Sequence, residues 1–96
     1  MIRHICMFRM KTEGRDEAVA EFLRRAESLR AIEEIRRFEI VTNVEGMPES
    51  NFDVALVFDF ESPEALDAYQ TNPIHKEFGA FVATVREARA CIDCEV

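Results

Sequence analysis

Three glycines, at positions 14, 46 and 79, are too few and too scattered to build a phosphate-cradling loop, which excludes glycine-rich nucleotide sites. Basic residues are scarce too, 12 against 19 acidic ones, and the formal charge of -7 would repel phosphate backbones and anionic lipid alike. Nucleic acid and membrane are therefore not expected partners. No apolar run is long enough to span a bilayer. The chain also enters a strand pattern at Ile2 without the basic start and cleavage site of a signal peptide. On that reading the protein is cytoplasmic and its thiols are free. Two histidines and dispersed carboxylates show no metal-ligand spacing, so neither a metal nor an organic cofactor is expected. The 96 residues suffice for one domain, 1–96, with one modest core.

What the sequence does have is alternation. Ile2, His4, Cys6, Phe8 and Met10 recur at period two, as do Phe38, Ile40, Thr42 and Val44. Phe52, Val54, Leu56, Phe58 and Phe60 form a third such run, and Ala90, Ile92, Cys94 and Val96 a fourth. Each reads as a strand with one dry face. Between the first two, Val19, Phe22, Leu23, Ala26 and Leu29 have helical spacing, predicting an amphipathic helix over about Asp16 to Arg30 with Asp16 and Glu17 at its positive end. The turn-rich segment Glu45 to Asn51 predicts a hairpin between the second and third strands. Ser62-Pro63 and Asn72-Pro73 each offer a side-chain cap followed by proline at the first helical position. They predict a short helix through Tyr69 and a second bearing Ile74, Phe78, Phe81, Val82 and Val85.

The order β-α-β-β-α-α-β predicts an α+β, ferredoxin-like subunit, a four-stranded antiparallel sheet with helices on one face. The even-numbered strand residues are expected to meet the helices. The odd-numbered face has an apolar centre in Ile5, Met7, Val41, Ala55, Val57 and Cys91, inside a charged rim of Arg3, Arg9, Glu39, Asp53, Asp59, Arg89 and Asp93. A dry centre within a polar rim is interface-like, so a second copy is expected to cover it, giving a dimeric α/β barrel. Cys91-Ile92-Asp93-Cys94 matches C-x-x-C only superficially, because a spacing of three on a strand sends the thiols to opposite faces.

The combination of Met1-Ile2-Arg3-His4-Ile5, the run Asp53 to Ser62, and Ala68-Tyr69-Gln70-Thr71-Asn72-Pro73-Ile74-His75 resembles the stress-responsive dimeric α/β-barrel, or Dabb, family over essentially the whole chain. The resemblance implies the same subunit and a sheet-to-sheet homodimer. One plant member closes a linear polyketide by an aldol reaction without metal or organic cofactor. Matching it here puts its catalytic tyrosine and histidine on Tyr69 and His75 and its strand histidine on His4, while a further pocket histidine falls near Val54.

His75 would be the third residue of its helix, where unpaired amides and the helix dipole favour a neutral imidazole able to accept a proton. Tyr69, the only tyrosine, suits a developing oxyanion. His4 is expected on the helix-facing side, buried and needing a partner. Cys6 reads as a small buried hydrophobe. The expected site lies between sheet and helices, lined by His4, Cys6, Phe8, Phe22, Val54, Leu56, Tyr69, His75 and Phe78, and takes a small, partly hydrophobic molecule. Cofactor-free acid/base chemistry on a carbonyl compound leads. A non-enzymatic, stress-associated binding role and a cofactor-free monooxygenase stand as alternatives.

Overall fold

A computed structural model describes all 96 residues. The elements are β1 (Ile2–Met10), α1 (Arg15–Ala26), a 3-10 turn (Glu27–Ala31), β2 (Arg37–Thr42), β3 (Val54–Phe60), α2 (Pro63–Thr71), α3 (Pro73–Val85) and β4 (Arg86–Glu95). The four strands form one sheet in the order β2-β3-β1-β4, every neighbouring pair antiparallel. This is the expected ferredoxin-like arrangement.

Each helix starts where its sequence dictates. Gly14 takes the left-handed conformation ahead of α1, φ 72°, which costs a residue without Cβ little. The Ser62 hydroxyl accepts from the Ala65 amide at 3.1 Å and Asn72 Oδ1 accepts from the Ile74 amide at 2.9 Å, with Pro63 and Pro73 opening the helices. The predicted first helix ends sooner than expected, at Ala26, and tightens into the 3-10 turn. Residues three apart eclipse in that geometry, so Ala26, Leu29 and Ile32 share one edge, and all three are buried. The hairpin connection runs from 43 to 53, closed by the Asn43 amide donating to the Asp53 carbonyl at 3.0 Å.

The core lies between the sheet and the helices. Even residues of β1 and β3 pair on that side, Cys6 opposite Leu56 and His4 opposite Phe58, against Phe22, Leu66, Tyr69, Phe78 and Val82. Phe58 and Phe60 are wholly buried, each stabilising the fold by roughly 1.5–3 kcal/mol relative to exposure.

β4 departs from the sequence reading. Its register sets Cys91 opposite Cys6, Asp93 opposite His4 and Arg89 opposite Phe8, so its odd residues face the helices. Ala90 and Ile92 lie opposite Met7 and Ile5 on the outer face, and Cys94 opposite Arg3. Cys91, Arg89 and Asp93 therefore leave the predicted dimer face, and Ile92 joins it. Alternation shows that a strand has two faces; register with β1, which the strand's own sequence does not carry, decides which face goes where. The outer face keeps Ile5, Met7, Val41, Ala55 and Val57 at its centre, flanked by a two-pronged ion pair between Arg3 and Asp59 at 2.8 and 3.0 Å. The Arg3 hydrogen bonds hold the Asp59 carboxyl below its ordinary range.

Candidate functional site

α2 ends and α3 begins at Asn72, and this junction brings Tyr69 and His75 together. Their rings lie 4.5 Å apart, centre to centre. Tyr69 also meets His4 of β1, ring centres 6.2 Å apart, so the two histidines flank one tyrosine. All three line a cavity of about 250 Å³ between sheet and helices. Cys6, Phe8, Leu56 and Phe78 complete the part of the wall that the sequence anticipated.

Hydrogen bonding fixes how the imidazoles are used. His75 Nδ1 lies 3.0 Å from the Gln70 carbonyl oxygen, which only accepts, so Nδ1 carries the proton and Nε2 keeps its lone pair. Burial pushes the His75 pKa down, the Gln70 hydrogen bond acts the other way, and the fields of His4 and Arg89 add to the depression. The neutral imidazole expected from sequence follows, with desolvation as its main cause. His4, 4% exposed, donates from Nδ1 to the Asp93 carboxylate at 2.5 Å, which orients its ring and leaves Nε2 unengaged. Tyr69 is 1% exposed and burial raises its pKa strongly, keeping the phenol protonated. No group of the chain hydrogen-bonds its hydroxyl. One proton acceptor and one proton donor thus lie side by side, both without internal partners.

Two expected lining residues are elsewhere. Phe22 packs between Phe8 and Phe78, ring centres 5.2 and 5.0 Å away, and fills the core behind the cavity. Val54 is sealed at the start of β3. Gly79, Val82, Arg86 and Arg89 line the cavity without having been anticipated. The first two follow His75 and Phe78 by four residues on α3, so helical spacing could have found them. Arg89 and the Asp93 partner of His4 required the true register of β4.

Cys6 and Cys91 are joined as a disulfide across β1 and β4, and Cys94 is free. The expectation of three free thiols is corrected: the partners are 85 residues apart and are matched by register, which no local cysteine spacing reveals. Potential ligand atoms of His4, Cys6 and Cys91 lie within 4.8 Å of one another. With the sulfurs bonded to each other neither is a thiolate, so the cluster as it stands offers a metal a single imidazole nitrogen.

A larger hollow, about 460 Å³, lies over Met7, Val41, Ala55 and the 50–53 loop. It holds no histidine or tyrosine, and its one carboxylate, Asp53, accepts from the Met10 amide. The acid/base groups belong to the smaller cavity. No helix is long and apolar enough to cross a membrane.

Fold and site together define a ferredoxin-like subunit with a histidine- and tyrosine-lined cavity between sheet and helices. The chain belongs to the stress responsive A/B barrel domain family, whose model matches residues 2–96. Among proteins of curated function none matches it. Among solved structures, a dimeric ferredoxin-like protein from Thermobifida fusca is 26% identical, with a TM-score of 0.88 over 99% of this chain and 90% of that one. A dimeric protein of ferredoxin-like fold from Bacteroides fragilis is 27% identical, with a TM-score of 0.83 over 99% of this chain and 95% of the other. The hydroxynitrile lyase of Passiflora edulis shares the fold at 17% identity, TM-score 0.83, over 99% of this chain and 92% of the enzyme.

Proposed function

We propose that the chain forms a sheet-to-sheet homodimer whose subunits each bind a small, partly hydrophobic molecule between sheet and helices and act on it by cofactor-free acid/base chemistry. The observation that carries this reading is the pairing of a neutral His75, Nδ1 tied to Gln70, with a protonated, internally unpartnered Tyr69 on one cavity wall. His75 Nε2 takes a proton from carbon beside a carbonyl, and the Tyr69 hydroxyl hydrogen-bonds the oxygen on which negative charge collects. The enolate carbon then attacks a second carbonyl, and the proton held by His75 returns to the new alkoxide, so no outside oxidant or metal enters the balance. His4, oriented by Asp93, hydrogen-bonds the ligand through its other ring nitrogen. The dimer is supported by the apolar outer face and by the dimeric relatives.

The test is a screen of intramolecular aldol closure and of cyanohydrin cleavage with purified protein. Any turnover found should fall by about two to four orders of magnitude in His75→Gln while the protein stays folded. Unchanged turnover in that variant would overturn the catalytic assignment. Binding without turnover would leave the non-enzymatic role, and oxygen consumption in the same screen would favour the monooxygenase alternative.

A further inference from the structure

Acidic residues outnumber basic ones 19 to 12, and unpaired guanidinium groups should be rare in such a chain. They are. Eight of the arginines donate to a carboxylate or a backbone carbonyl. Arg86 and Arg89 alone have no acceptor within the chain, and both line the cavity that holds His75 and Tyr69. The same wall carries no Asp or Glu. Asp93, four residues beyond Arg89 on β4, is already engaged by His4, and Glu87, between the two arginines, is exposed and forms no ion pair. Arg86 caps the end of α3 and Arg89 follows on β4 opposite Phe8, so the two charges approach from one side while Phe8, Leu56, Phe78 and Val82 supply an apolar surface. Two forked cations held without a counter-charge beside a partly apolar cavity fit an amphiphilic anion. The guanidinium fork matches a planar carboxylate in particular.

We propose that the ligand of this cavity carries a carboxylate, held by Arg86 and Arg89, on an apolar body that lies against Phe8, Leu56, Phe78 and Val82. This inference rests on the cavity being a ligand site but not on its being catalytic. Charge-assisted hydrogen bonds to the carboxylate give the preference over a neutral isostere, and salt weakens them because the arginines stand near the surface.

The experiment compares 3-phenylpropionate with 3-phenylpropionamide, alike in shape and differing in charge, by calorimetric titration of the full chain and by the amide resonances of His75 and Gly79. The acid should bind about tenfold tighter or more than the amide. The Arg86→Gln/Arg89→Gln double variant should bring the acid-to-amide affinity ratio to about one. Arg89→Lys should recover part of the loss. Inorganic phosphate, charged but without an apolar body, should compete at least about tenfold more weakly than the acid. Equal binding of acid and amide, or an acid preference surviving in the double variant, would overturn the carboxylate assignment while leaving the cavity reading in place. If neither probe moves His75 or Gly79, the cavity reading falls and the carboxylate with it. His75→Gln should keep the acid preference, so loss of turnover and loss of charge recognition separate cleanly.

Discussion

β1 has two antiparallel neighbours that meet it with opposite parity. Toward β3, even residues face even residues, and the shared surface is dry: Leu56, Phe58 and Phe60 are at most 3% exposed. Toward β4, even residues face odd ones, and the helix-facing positions are Arg89, Cys91 and Asp93, none of them buried. One strand closes the core and the other borders an opening. The usual inference, that a strand's apolar face is its core face, holds for β3 and fails for β4. There the helix side carries Arg89 to a cavity wall, and the apolar residues Ala90 and Ile92 belong to the outer face. Here the inverted edge strand borders the cavity that holds His4, Tyr69 and His75.

The comparison makes its largest claim about stability. Phe58 is wholly buried, with the Phe38 and Tyr69 rings 4.7 and 5.8 Å away, so Phe58→Ala should cost about 3–5 kcal/mol in urea unfolding. Arg89→Ala, on the same face of the sheet but on β4, should stay within about 0.5 kcal/mol. Comparable costs would mean that β4 seals the core as β3 does.

The disulfide tests the register directly. Titration of the unreduced, denatured protein should find one reactive thiol, Cys94, where free cysteines throughout would give three. Because the link joins residues 85 apart, Cys91→Ser should cost about 2–4 kcal/mol and Cys94→Ser almost nothing. Three reactive thiols in protein never exposed to reductant would break the assignment.

Ile92, 61% exposed in the isolated chain, lies opposite Ile5 on the outer face. In the proposed dimer Ile92→Asp should raise the dissociation constant at least about a hundredfold in sedimentation measurements, since it would bury an unpaired charge. The monomer's unfolding should change little. A monomer that unfolds as a core variant would show that Ile92 faces the helices after all.

These contrasts also show what was legible beforehand. Helix starts were, because Ser62-Pro63 and Asn72-Pro73 are local signals that need only their own side chains and backbone. The even face of β1 and β3 was legible because it is both alternating and strongly apolar. Tyr69 and His75 were placed together by the family resemblance of the segment Ala68 to His75, which periodicity alone would not have singled out. Arg89, Asp93 and the Cys6–Cys91 link were not, since each depends on a register between segments some 81 to 89 residues apart in sequence. Phe22 was misplaced for a different reason: helical spacing identifies the face that packs inward, but not which aromatic ring on it fills the core and which borders a void.

The smallest effect concerns protons. Burial holds the His75 pKa below its ordinary value near 6.5, so between 6.5 and the native value the unfolded chain binds more protons than the folded one. Stability must then decline as pH falls through that window. Above it both states are neutral at this position, and His75 contributes no pH dependence. His75→Gln should remove this part of the slope while leaving the acid loss due to Asp59, whose depressed pKa acts at lower pH. Proton resonances of the His75 ring, assigned by their loss in the variant, should titrate with a midpoint below 6.5. Arg89 also faces this imidazole and opposes its protonation, so Arg89→Gln should raise the midpoint without reaching 6.5, because desolvation is the larger cause. A midpoint at or above 6.5 in the unmodified protein would mean that His75 is solvated, and an unmoved midpoint in Arg89→Gln would mean that β4 does not bring its arginine to the cavity.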